Sequence, residues 1–197
     1  MTQKHYVIRS LLPVLLCASA GLPQEARTAE LGVRLSSLRA EANLQGIGLI
    51  AQWPLAQGFF LQASLENLEY ARNSDSQILP SAELRSVVAG AAIGRRYDNA
   101  PGSQAWFWSW GIAAGFPASG RENAGVADRR FSAATEIHLT GAIGVSRQLT
   151  DHWSLTGMAR IERHFIDWRV TDADGKVLAR RNSLSASGLS VSLNYRF

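Results

Sequence analysis

Gly188-Leu189-Ser190-Val191-Ser192-Leu193-Asn194-Tyr195-Arg196-Phe197 are the last ten residues of the sequence. Leucine, valine, tyrosine and phenylalanine hold the odd positions; serine, asparagine and arginine fill the even ones between them. Successive side chains of a strand point to opposite faces, so this strand has one apolar and one polar face. In a soluble sheet the apolar face is the buried one. In a transmembrane barrel it meets lipid, and the polar face lines the lumen. The two aromatics among the last three residues favour the second arrangement, because termini fray unless a surface receives them.

The remaining composition is compatible with this. Of 197 residues, 46% are hydrophobic and 18% charged, with a formal net charge of +4 and both signs spread along the chain. A single domain is the default for this length. No basic block appears, which argues against nucleic acid as a partner. Lys4 and Arg9 form a basic n-region, Leu11 to Cys17 a short apolar run, and Ala18-Ser19-Ala20 an A-x-A cleavage pattern, so residues 1–20 read as a signal peptide. Its removal takes away two basic groups, leaving +2, and the only cysteine, Cys17. Leu16 stands where a lipidation signal wants a small residue, which opposes a lipidated Cys17. No thiol or disulfide chemistry then remains. Residues 21–29 form a polar lead. No stretch reaches the ~20 apolar residues of a spanning helix, so a membrane protein built from this chain must be a closed barrel.

From residue 30 to 197 the sequence predicts eight alternating segments: Leu31–Leu38, Asn43–Trp53, Phe59–Tyr70, Leu84–Tyr97, Ala105–Phe116, Ala133–Arg147, Trp153–Trp168 and Leu184–Phe197. Several reach the ~9–11 residues of a tilted spanning strand. An even count places both termini on one side, the periplasmic one in bacterial barrels. The second connection (Pro54 to Gly58) and the sixth (Leu149 to His152) are short, as periplasmic turns are, and the fourth (Asp98 to Gln104) is intermediate. The third (Ala71 to Glu83), fifth (Pro117 to Ser132) and seventh (Thr171 to Ser183) are longer and polar. The first, Arg39 to Ala42, is shorter than an outer loop is expected to be.

If odd positions face lipid, with the fifth segment shifted to even ones, Trp53, Phe59, Tyr97, Trp106, Trp153, Tyr195 and Phe197 form a girdle at the periplasmic ends of their strands. Phe116, Phe131 and Phe165 then mark the outer boundary. The opposite face carries a lumen polar network: Arg34, Glu66, Glu136, His138, Arg160, Glu162 and His164. An eight-stranded barrel is just wide enough for side chains to fill, and buried charges must pair. The three glutamates are expected to meet the arginines and histidines, with Gly46, Gly48, Gly90 and Gly94 making room. This register points Ile50 and Val88 into the lumen.

The stretch Leu189 to Phe197 and the turn Leu149-Thr150-Asp151-His152-Trp153-Ser154-Leu155 carry a resemblance. The whole mature chain resembles the small eight-stranded outer-membrane barrels, the group that includes the OmpA transmembrane domain, OmpX and Ail. That resemblance implies an all-β fold: an eight-stranded antiparallel up-and-down transmembrane β-barrel with both termini periplasmic. It also implies a monomer in the outer membrane of a Gram-negative bacterium. Its partners would be outer-membrane lipid, lipopolysaccharide and the barrel assembly machinery, the last reading Tyr195 and Phe197 as an assembly signal. The short first loop departs from the OmpX and Ail pattern, so their adhesive role is not carried over.

Three chemistries compete with a purely structural barrel. Lipid A deacylases use a histidine, a serine and an acid on the barrel wall. His164 with Glu162 and Glu136 imitates part of such a set, but no serine follows in the His-x-Ser form, and an enzyme is not expected. Asp172-Ala173-Asp174-Gly175 starts like a calcium loop but lacks the later ligands, and Asp-Gly is more simply a turn. Neither a metal nor a cofactor is expected. Gly46-Ile47-Gly48 lies inside a strand and cradles no phosphate. Arg72, Arg121 and Lys176 accompany an outer-loop basic rim of Arg129, Arg130, Arg180 and Arg181, suited to lipopolysaccharide phosphates. The resulting expectation is a structural or surface-interaction barrel whose lumen is filled by polar side chains, with a lipid A-modifying enzyme or a narrow pore as alternatives.

Overall fold

The computed structural model describes residues 29–40, 42–72, 83–98, 104–117, 120–124, 127–171 and 174–197. The expected signal peptide, and all of the polar lead except Ala29, lie outside them. Nine strands follow in order: β1 (Glu30–Arg39), β2 (Ala42–Pro54), β3 (Phe59–Arg72), β4 (Glu83–Asp98), β5 (Gln104–Pro117), β6 (Gly120–Ala124), β7 (Ala127–Gln148), β8 (Trp153–Thr171) and β9 (Val177–Arg196). Each pairs antiparallel with its chain neighbour, except that β5 skips β6 to pair with β7. The barrel closes where β1 meets β9, from Glu30 opposite Arg196 to Arg39 opposite Ser187. The short β6 folds back on the start of β7 and prolongs the fifth wall position. Eight long strands therefore make one closed up-and-down barrel with both chain ends at the same rim.

The alternation decides which face goes where. In β8 every even residue from Ser154 to Ile166 is buried and every odd one is exposed. In β5 the parity reverses: Phe107 and Ser109 are buried, Trp106 and Trp110 exposed. Ile50 and Val88 are buried and share the inward parity of their strands. Outside, Leu35, Ile47, Ile93, Ile112, Ile143 and Leu189 are each half or more exposed. A continuous apolar exterior of this kind is stable only against hydrocarbon, and closure leaves the wall no unpaired edge there.

The rim that carries the termini is edged by aromatics. Tyr97 stacks on Trp106 at 4.1 Å, and Tyr195 meets Trp153 at 5.0 Å and Phe197 at 5.2 Å. Arg95 lies over both Phe59 and Tyr97. Trp53 differs from the other six aromatics expected in this ring. It pairs with the exposed Leu61 but is itself only 8% exposed, so its neighbours cover it. Toward the other rim the exterior turns polar at Gln45, Glu69, Arg85 and Arg163. Phe116 and Phe165 are exposed there, while the side chain of Phe131 lies outside the described set.

The structure corrects the sequence reading in two places. Gly120–Ala124, Ala127 to Ser132 and Val177 to Ser183, expected as loop, belong to β6, β7 and β9. Asp128-Arg129-Arg130 are consecutive charged residues and Val177-Leu178-Ala179 consecutive apolar ones, so neither the β7 nor the β9 segment alternates. β7 has 22 residues and β1 has 10. At ~3.4 Å per residue one side of the wall is more than twice as long along the strand as the other. The lumen is also not polar throughout. Along β8 the inward residues run Met158, Arg160, Glu162, His164, Ile166, so a charged band lies between apolar ones. Phe60, Phe107 and Met158 pack together below it. Leu38, Leu44, Leu68, Ile166 and Leu184 pack above it. A filled barrel is a core, and apolar side chains fill it wherever no polar partner is within reach.

Glycines on adjacent strands admit the bulky inward groups. A Cβ at Gly46 would lie 2.5 Å from Glu66 Oε1, and one at Gly94 would collide with both the Phe60 ring and the Trp108 carbonyl oxygen. Gly94→Val should therefore destabilise the barrel by about 1–3 kcal/mol. Gly157→Ala, with nothing within 4 Å, should be neutral. Both are checked by the temperature at which the unboiled, fast-migrating gel band converts to the unfolded one. A wild-type chain that migrates identically boiled and unboiled would contradict the barrel.

Candidate functional site

The charged band is the most polar part of the described interior, and strand period and register build it. Glu136 and His138, two residues apart on β7, share the inward face. Arg160, Glu162 and His164 do the same on β8, where His164 is the ladder partner of His138. Arg34 on β1 and Glu66 on β3 face them from across the lumen. All seven are at most 7% exposed.

Arg160 is the centre of one half. Its Nη1 donates to Ser36 Oγ at 2.7 Å, Ser190 Oγ at 3.2 Å and both oxygens of Glu66 at 3.2–3.3 Å; Nη2 donates to Glu66 and to Glu162. Arg34 Nη1 lies 3.7 Å from Glu66. Arg34 Nε and Nη2 have no protein partner among the described residues, and Arg34 lines a cavity of about 30 Å³. That is room for an ordered water.

Glu136 is the centre of the other half. His138 Nε2 is 2.7 Å from its Oε1, Ser86 donates to its Oε2 at 2.5 Å, and the Tyr70 hydroxyl donates to Oε1. Tyr70 also lies 3.0 Å from His164 Nδ1, and His164 Nε2 is 3.0 Å from Glu162 Oε2. The two imidazoles stack at 3.8 Å. Two arginines and two histidines thus face three glutamates in one layer. Sequence reasoning missed Tyr70, Ser86 and Ser36, and placed Ser190 on the lumen face without its partner. Each shares the inward parity of its strand, which was the available signal.

The other singled-out residues lie elsewhere. Tyr195 and Phe197 sit at the terminal rim. There Arg196 N–H donates to His152 C=O at 2.7 Å, and Phe197 N–H to Ala29 C=O at 3.2 Å. Arg129 and Arg130 lie in β7, and Arg180 and Arg181 in β9, so the basic rim is carried by strands rather than loops. Strand pairing continues past the apolar belt there. Arg181 is exposed and donates to Asp167 at 2.8 and 3.3 Å. The side chains of the other three, with those of Arg72 and Arg121, lie outside the described set. Gly175 adopts φ +76°, as a tight turn requires; Asp172 and Ala173 are not described.

At the terminal rim, Arg196 and Arg96 both approach Glu30, at 2.7 and 3.7 Å. A second cavity of about 10 Å³ lies nearer this end; Gln62 and Met158 line both it and the larger one. Such small spaces hold single waters, not a file of solute.

Replacing Arg160 by methionine strands Glu66 and Glu162 beside each other in the interior. Loss of one partner from a buried ionic group costs about 3–5 kcal/mol. A urea titration in detergent micelles should show that loss, whereas Arg181→Met at the exposed pair should leave the midpoint unchanged.

No family model matches the chain, and no curated protein matches it. Solved structures do. Neisserial surface protein A is 17% identical over 86% of this chain and 96% of its own, with a TM-score of 0.53. The outer-membrane protein AlkL, solved in lipid bilayers, is 11% identical over 89% and 93%, with a TM-score of 0.59. A major outer-membrane protein of Thermus thermophilus is 13% identical over 86% and 99%, at 0.55. At these identities the likeness is one of architecture: the chain has the fold of the small eight-stranded outer-membrane barrels.

Proposed function

We propose that this protein is an integral barrel of a Gram-negative outer membrane with a structural or surface-interaction role, exported by a signal peptide over residues 1–20. The observation that carries this reading is the exterior itself. An apolar belt is bounded at the terminal rim by stacked aromatics and at the other by outward-facing arginines, Arg85, Arg163 and Arg181 among them. Aromatic rings are stable at a membrane boundary, and guanidinium groups match phosphates in bidentate fashion. With the termini periplasmic, the arginine rim faces the lipopolysaccharide leaflet, joined there by Arg129, Arg130 and Arg180 on the projecting part of β7 and β9. Arg163 lies over Phe165 at 5.7 Å, which holds its head group at this boundary.

The interior supports a role without catalysis. His138 and His164 are 1% and 0% exposed, and their partners are carboxylates, Tyr70 and each other, so no substrate reaches them. The apolar layers above and below the charged band likewise oppose a conducting pore.

Two measurements test this reading. Replacing Arg129, Arg130, Arg180 and Arg181 together by glutamine should lower lipopolysaccharide co-purification several-fold; unchanged lipid content would overturn the lipopolysaccharide contact. Deleting Phe197 should reduce the heat-modifiable band in outer-membrane fractions. Recovery of the full chain in the soluble fraction would remove the membrane assignment itself.

A further inference from the structure

We propose that Glu136, His138 and His164, with the Tyr70 hydroxyl at the fourth corner, form a closed structural site for a divalent transition metal of the Zn²⁺ type. One ligand atom from each of the first three lies within 4.8 Å of the others, and all three residues are buried. The convergence follows from the fold. Period two puts Glu136 and His138 on one face, and the ladder sets His164 beside His138.

The spacings fit a small cation. Donors 2.0–2.2 Å from a tetrahedral Zn²⁺ stand about 3.4 Å apart. Around Glu136 Oε1 the observed separations are 2.7 Å to His138 Nε2 and 3.9 Å to His164 Nδ1, with Tyr70 Oη 3.0 Å from the latter nitrogen. Both nitrogens border the same carboxylate oxygen; since the rings stack at 3.8 Å and 27°, binding turns one imidazole so that the two in-plane lone pairs converge.

Two further observations point the same way. The outer partners are those of a metal site: a ligating histidine hands its second nitrogen to a carboxylate, and His164 Nε2 meets Glu162, itself held by Arg160. Ser86 fixes the second oxygen of Glu136. The donor set is the other: two imidazoles select a transition metal over Ca²⁺ or Mg²⁺, which prefer oxygen. Binding releases the proton that Tyr70 donates to Glu136, and four protein donors then leave the site no open position. It ties β3, β7 and β8 together and performs no reaction.

The test uses the untagged full chain refolded into detergent micelles with Zn²⁺, Ca²⁺ or EDTA, then desalted for elemental analysis. The expected result is one Zn²⁺ per folded chain and an unfolding temperature raised by Zn²⁺ but not by Ca²⁺. Co²⁺ in its place should give the intense visible bands of a tetrahedral site. Glu136→Gln and His164→Gln, each shown folded by its unboiled gel mobility, should lose the metal and the temperature shift. Folded wild type that carries no stoichiometric Zn²⁺, or folded variants that keep it, would overturn the site.

Discussion

Every backbone N–H and C=O in the wall must find its partner within the wall, since hydrocarbon offers none. That constraint makes the β1–β9 seam the decisive contact of the molecule. Without the ladder from Glu30–Arg196 to Arg39–Ser187, two strands would present open edges to lipid. The chain end is fastened accordingly, with Arg196 N–H on the β7–β8 turn and Phe197 N–H on the residue before β1. The Thr150 side chain organises that turn by accepting from the His152 and Trp153 N–H groups at 3.3 and 3.0 Å.

Closure then defines an interior to be filled. Eight strands leave space for side chains and little else, so inward positions must be complementary in both volume and charge. Volume is met by pairing large with absent side chains: Glu66 over Gly46, Phe60 beside Gly94. Charge is met by concentrating it in one layer, where Arg160 binds two carboxylates and Glu136 gathers a phenol, a serine and an imidazole. Apolar layers on both sides exclude water and strengthen those interactions.

Much of this was legible in the sequence, and the reason is periodicity. β8 alternates from Trp153 to Ile166 apart from Met158 and Ile166 inside and Arg163 outside, and the parity change of β5 is visible in Trp106-Phe107-Trp108-Ser109-Trp110. Even the His138–His164 pairing follows from the short Leu149–His152 turn, since a tight connection sets the register of both strands. What failed lay where periodicity carries no information. Ala127 to Ser132 and Val177 to Ser183 contain runs of one kind, Asp128-Arg129-Arg130 and Val177-Leu178-Ala179, that break the alternation. Leu38, Leu68 and Leu184 sit at inward positions and look like errors of alternation until closure brings them together. The Tyr70–Glu136 contact spans 66 residues and crosses the lumen, a distance no local pattern encodes.

The charged layer is also divided unequally along the chain. Arg34 and Glu66 come from the first three strands, while Glu136, His138, Arg160, Glu162 and His164 all come from β7 and β8. The early portion carries a pair of its own, Arg34 and Glu66, but Arg160 and Glu136 draw partners from both portions: Glu66 and Ser36 serve the one, Tyr70 and Ser86 the other. The layer is therefore completed by closure and not before it: a piece ending at β4 would hold Tyr70 and Ser86 without the carboxylate they serve.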